Sequence, residues 1–179
     1  MKRTLLILSL LIVLPLSIFA QKWKANSSYV KFYSDAPMEK IEAINEKSGS
    51  VVDLSSGDIV FSIPISQFQF EKSLMQEHFN ENYLESDKYP KATFKGKLKG
   101  YDASKTGKQK ATAVGTMNIH GVDQKVEIEG DIEISDSKMH MESVFPIEVA
   151  DYKIKIPSIV FYNIAEVVEV TIKFDYEKL

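Results

Sequence analysis

The sequence predicts an all-β domain of about eight antiparallel strands with one short helix set among them. Three observations carry this. Apolar and polar residues alternate strictly in stretch after stretch after Trp23. Clusters such as Ser55-Ser56-Gly57, His120-Gly121 and Ser135 to Ser137 punctuate those stretches as turns. A single segment, Ser73 to Gly96, abandons the two-residue period for a four-residue one before returning to alternation at Ala92.

The N-terminus is set apart. Lys2 and Arg3 precede an almost wholly apolar run from Leu5 to Phe19, and Ala20 is a small residue suited to cleavage. Residues 1–20 therefore read as a secretory signal peptide, with Gln21 as the new N-terminus and 21–179 as a single domain. The apolar run is shorter than the roughly 20 residues that span a bilayer. The expected location is outside the cytoplasm, periplasmic or secreted. The chain has no cysteine. That excludes a disulfide framework, a lipid-modified N-terminal cysteine, thiol catalysis and Cys-based metal sites. The formal charge is −3, and loss of Lys2 and Arg3 makes it −5. A nucleic-acid partner, which needs clustered basic charge, is not expected.

Taken in order, Val30 and Phe32 alternate with Lys31 and Tyr33, and Ile59, Phe61, Ile63 and Ile65 with Asp58, Val60, Ser62 and Pro64. Met38 to Leu54 is weaker, with a bend expected at Ser48-Gly49-Ser50. Ala92, Phe94, Gly96 and Leu98 share a face opposite Thr93, Lys95, Lys97 and Lys99. Ala111, Ala113, Gly115, Met117 and Ile119 form the next dry face, followed by Val126, Ile128, Gly130, Ile132 and Ile134. Met139, Met141, Phe145, Ile147 and Val149 precede the last run, Val168, Val170, Ile172, Phe174 and Tyr176. Such alternation marks strands with one dry and one wet face. No βαβ pattern appears, so the sheet should be antiparallel.

The helix is predicted to begin at Ser73, whose S-x-x-Q spacing with Gln76 suits a capping box. Met75, Phe79 and Tyr83 form one apolar stripe flanked by Leu74 and His78. Tyr89-Pro90 stops it, because proline pushes the preceding residue out of the α region. The stripe suits either a plug over the core or a lid that touches a ligand.

Catalytic and metal-binding patterns are sparse. His78, His120 and His140 have no close metal-ligand spacing. Glu127, Glu129, Asp131 and Glu133 alternate as a solvated strand face. Lys91, Lys95, Lys97 and Lys99 read as edge protection, or as a patch for an anionic head group. No nucleophile elbow or phosphate-binding loop occurs, and an enzyme is not expected.

About eight such strands can form a sandwich or close into a barrel able to hold one ligand. Gly96, Gly115, Gly130, Ala92, Ala111 and Ala113 stand on the dry face among Phe and Met residues. Small residues there leave space, or interdigitate with large ones in a solid core.

The stretch MQEHFNENYLESDKYPKATFKG resembles the signature of the YceI-like family of polyisoprenoid- and lipid-binding proteins, through His78, Leu84, Lys88-Tyr89-Pro90 and Phe94. Gly115 to Val122 is similar to that family's G-x-L-T-I-x-G-V segment, and Ala150 to Ile154 to its S-D-F-G-I segment. Lys153 stands where the family often has glycine. The resemblance implies a lipocalin-like antiparallel barrel with a helix over one end and an apolar tunnel for an isoprenoid chain.

The expected function is therefore an exported protein that holds an amphiphilic lipid, such as an isoprenoid quinone, a polyprenyl chain or a fatty acid, for transport, storage or sequestration. The candidate lining residues are Phe61, Ile63, Met75, Phe79, Phe94, Leu98, Met117, Ile119, Ile128, Met141, Phe145 and Phe174. His78 and the Lys88-Tyr89-Pro90 turn are expected to anchor the helix to the barrel. No catalytic cofactor or metal is implied, the only small molecule being a bound lipid such as a quinone or polyprenol, and the protein should be a monomer or homodimer. The alternative is a solid β-domain that binds another envelope protein without a small ligand.

Overall fold

The computed structural model describes residues 22–157 and 162–179. The expected signal peptide lies outside them. One ten-stranded antiparallel sheet closes on itself. Its strands are β1 (Lys22–Asp35), β2 (Lys40–Asn45), β3 (Gly49–Asp53), β4 (Asp58–Pro64), β5 (Gln69–Phe70), β6 (Lys91–Lys99), β7 (Gly107–Ile119), β8 (Val122–Ile134), β9 (Lys138–Glu148) and β10 (Val167–Lys178). Helix α1 (Ser73–His78) continues as a π-helical turn over Phe79–Tyr83, and 3₁₀ turns cover Ile65–Gln67 and Val149–Tyr152.

Eight strands, β1, β3, β4, β6, β7, β8, β9 and β10, make the ring, with β1 pairing β10 to close it. The strand count and the barrel thus match the sequence reading, with two additions. β2 pairs only the upper half of β1, and the two-residue β5 pairs β2. The chain leaves the ring between β2 and β3 because Asn45 holds a break there. Its fully buried side chain donates to the Pro64 carbonyl at 2.7 Å and accepts from Lys47 N–H and Ser48 Oγ. Closure leaves the ring strands without a free edge over their paired lengths. The lysines of β6 therefore protect no edge, since β4 and β7 pair it on both sides. They lie on the outer face, where Lys97 meets Asp58 at 2.8 Å.

A bulge at Asn26 explains why β1 hides its pattern. Trp23 and Ala25 point inward before it, and Val30, Phe32 and Ser34 after it, so the parity switches from odd to even. The base of the barrel is densely packed. Trp23, Val52, Ile59, Ile132, Met139, Phe174 and Tyr176 are each under 2% exposed. Tyr176 donates to Ser50 Oγ at 2.8 Å, and burial pushes its phenol well above the usual range.

Gly96 and Gly115 face each other across β6 and β7. The space above them is not open, because the Phe94 ring lies over both. A Cβ on Gly115 would meet the Lys95 carbonyl and Gly96 Cα, and Phe94 Cζ at 2.8 Å. Of the two readings of these glycines, open space or interdigitation with large side chains, the second holds here: they leave room for Phe94. Gly115→Ala is expected to cost about 1–3 kcal/mol, because backbone must shift. Urea unfolding measures it, and a variant within 0.3 kcal/mol of the parent would show that the strands can separate freely.

Along the upper barrel β8 and β9 part. They pair only over Asp131–Ile134 with Met139–Glu142. The Val149–Tyr152 turn packs beside the gap, where Gln124 donates to the Asp151 carbonyl at 2.7 Å. Lys153 ends that turn at φ 57°, a left-handed conformation that explains why glycine suits this position.

Candidate functional site: an apolar chamber under the helix

The upper barrel encloses a chamber of about 360 Å³. Its walls come from the inward faces of β1, β4, β6, β7, β9 and β10. Its roof comes from α1, the π-helical turn, β5 and the connection between β9 and β10. Below it lies a smaller chamber of about 90 Å³. Ile63, Phe94, Met117, Phe145 and Ile172 line both, so these side chains form the partition between them.

All twelve candidate residues border one chamber or the other. Met75, Phe79 and Ile119 line the upper one. Phe61, Leu98, Ile128, Met141 and Phe174 line the lower one. The remaining four, Ile63, Phe94, Met117 and Phe145, belong to the partition. An elongated single tunnel was expected; the interior is two chambers over a packed base.

Sequence reasoning missed much of the upper wall. Phe32 stacks on Phe79 at 5.3 Å and meets Phe68 and Phe70 edge-on at 5.6 Å each. This aromatic cluster sets the roof on β1. Alternation in β1 pointed at Phe32, but Phe68 follows a 3₁₀ turn and Phe70 lies in a two-residue strand, where no period exists to read. Ile147, Ile154, Ile156, Ile164, Val168 and Val170 complete the wall.

The helix is held differently from the prediction. Its N-cap is Lys72, without a side-chain cap, and Ser73 is already helical. Gln76 does not close a capping box, because its Oε1 accepts the Phe70 N–H at 3.3 Å and ties α1 to β5. Lys72 reaches Glu39 in the β1–β2 turn at 2.8 Å. The Lys72 hydrogen bond holds the Glu39 carboxyl below its ordinary range.

His78 is not an anchor. It is exposed and borders the chamber, and its side chain makes no hydrogen bond among the described residues. The anchor is His120, at φ 52° in the β7–β8 turn. Its Nδ1–H donates to the Tyr152 carbonyl at 3.2 Å, and Nε2 lies 2.7 Å from Glu85 Oε2. Tyr89 packs edge-on against the His120 ring at 4.6 Å. A Cβ on Gly121 would run into that same Tyr89 ring. The Lys88-Tyr89-Pro90 turn does hold the roof, as expected, but through His120-Gly121.

A few polar side chains border the upper chamber. Glu39 from the β1–β2 turn, His78 from the end of α1 and Asn163 from the connection before β10 all border it. Asn163 donates toward Glu39 Oε2 at 3.5 Å. Ser34 is occupied, its Oγ accepting the Ala165 N–H at 2.8 Å. Desolvation raises the Tyr83 phenol, which therefore stays neutral beside the chamber. No three His, Asp or Glu side chains stand close enough to share a metal among the described residues. No described helix is long and apolar enough to cross a membrane.

A closed antiparallel barrel with an apolar chamber under a short helix is an architecture with room for a small ligand. The YceI-like domain profile matches residues 22–176, and the chain belongs to that family. Its fold resembles a polyisoprenoid binding domain from Saccharophagus degradans implicated in plant cell wall breakdown. The TM-score is 0.76 at 14% identity, covering 88% of this chain and 98% of that one. BcnA of Burkholderia cenocepacia is similar with a TM-score of 0.69 at 17% identity, covering 83% and 95%. A YceI protein of Campylobacter jejuni follows at 0.56 and 20%, covering 72% and 78%. No curated protein matches the chain in sequence.

Proposed function

We propose that this protein is an exported carrier that holds one amphiphilic lipid, an isoprenoid quinone, polyprenyl chain or fatty acid, with its apolar chain in the upper chamber. The observation that carries this reading is the roughly 360 Å³ apolar chamber, within the size range of ligand sites. Each methylene buried there contributes about 0.8 kcal/mol. Binding needs no covalent chemistry, only burial of the chain and a place for the head group. Glu39, His78 and Asn163 stand where that head group would leave the apolar wall. The polyisoprenoid binding of the Saccharophagus degradans domain supports the reading by analogy of fold.

Native mass spectrometry of the protein from its own host should show a co-purifying lipid. Added quinone, polyprenol or fatty acid should raise the melting temperature, a ligand at 100 times its Kd contributing about 2.7 kcal/mol. An empty protein with an unchanged melting temperature across all three classes would overturn the proposal.

A further inference from the structure

We infer that Phe94 is the gauge that sets how long a chain the barrel accepts, and that the preferred ligand carries a short chain of about fourteen carbons. The inference rests on the lipid-holding reading above and sharpens it to a length class. Two observations carry it. The interior is divided, and Phe94 stands in the partition with Ile63, Met117, Phe145 and Ile172. Phe94 is also seated against the barrel wall. Its ring tip sits against Gly96 and Gly115, close enough that a Cβ on either would collide with it. It is buried, and its ring meets Phe61 at 6.2 Å. The floor of the upper chamber is thus a ring seated in a two-glycine socket rather than a swinging side chain.

Volume turns this into a length. A cavity of about 150 Å³ accommodates the six carbons of benzene, or about 25 Å³ per carbon. At that ratio the 360 Å³ upper chamber takes roughly fourteen carbons, the size of three isoprene units, and the 90 Å³ lower chamber roughly four more. A chain longer than fourteen carbons must either displace Phe94 or leave its remainder outside the chamber. There, further methylenes bury no new surface.

The test is displacement of a bound fluorescent probe by linear 1-alkanols of 8 to 20 carbons, with the two-, three- and four-unit prenyl alcohols alongside. Affinity should rise roughly fourfold per methylene and level off near fourteen carbons. Phe94→Leu, which keeps an apolar side chain but shortens it, should move the levelling point out by about four carbons. Phe94→Ala should do the same if it folds, and the leucine variant carries the test if it does not. A native affinity that climbs steadily through 20 carbons would overturn the gauge while leaving lipid binding intact. So would a levelling point that stays put in Phe94→Leu. Absence of binding at every length would overturn the lipid reading itself, and the gauge with it.

Discussion

Phe174→Ala should be the most damaging single truncation in the barrel, lowering unfolding free energy by about 3–5 kcal/mol. Phe174 is fully buried at the centre of β10, 4.9 Å from Phe61 in edge-on contact and 6.2 Å from Tyr176. It closes the lower chamber from one side. The void left by its ring cannot readily collapse, because β10 is held by an unbroken ladder to β9 and paired to β1 on its other side. At roughly 2–4 °C per kcal/mol for a domain of this size, the melting temperature should fall by about 6–20 °C. Met75→Ala, by contrast, removes a half-exposed roof residue that already borders empty space, and should cost less than about 1.5 kcal/mol. The pair divides the molecule into a solid base that supplies stability and a roofed chamber that gives some up. Chemical unfolding of both variants measures the contrast. Similar losses in the two would mean that the chamber is packed as tightly as the base in solution.

The division explains what the sequence could and could not show. The two-residue period fixes which side chains of β4, β6, β7, β8, β9 and β10 face inward. Every candidate chosen from those strands does border a chamber. Parity has no information about distance across the barrel, however. It could not tell that Phe94 fills the glycine socket, nor that Met139 is packed solid while Phe145 stands beside space. Where the period breaks, reading failed for identifiable reasons. The Asn26 bulge shifts β1 out of phase. The bend expected at Ser48-Gly49-Ser50 does lie beside the break that Asn45 holds between β2 and β3, but the weak pattern there gave no strand bounds. The capping box failed because a nearer acceptor need, the Phe70 N–H, competes for Gln76. His78 drew attention by its place on the helix. The better signal was the His120-Gly121 pair, a turn requiring two successive positive φ angles that brings an imidazole under the roof.

That assignment leads to the second large effect. His120→Ala should cost about 2 kcal/mol and loosen the roof, whereas His78→Ala should change stability by less than about 0.5 kcal/mol. The His120 side chain joins three segments that are distant in sequence: Glu85 and Tyr89 after the helix, the β7–β8 turn, and Tyr152 beside the β8–β9 gap. Both of its ring nitrogens are engaged, Nε2 with the Glu85 carboxylate and Nδ1 with the Tyr152 carbonyl. Removing it strands the buried Tyr152 segment without that donor and frees Tyr89, the residue that pins the turn following the π-helical segment. Glu85 remains partly solvated, with 43% of its side chain exposed, so its loss is cushioned and the total stays near the lower end for charged hydrogen bonds. Alanine also tolerates φ 52° poorly, so His120→Asn, which accepts that conformation, separates backbone strain from lost contacts. Hydrogen exchange should show faster opening of residues 73–84 in both His120 variants, and a bound chain should dissociate faster from each. Equal exchange in the His120 and His78 variants would mean that the roof is held by its aromatic seat, Phe32 against Phe79, and that the latch adds nothing to it.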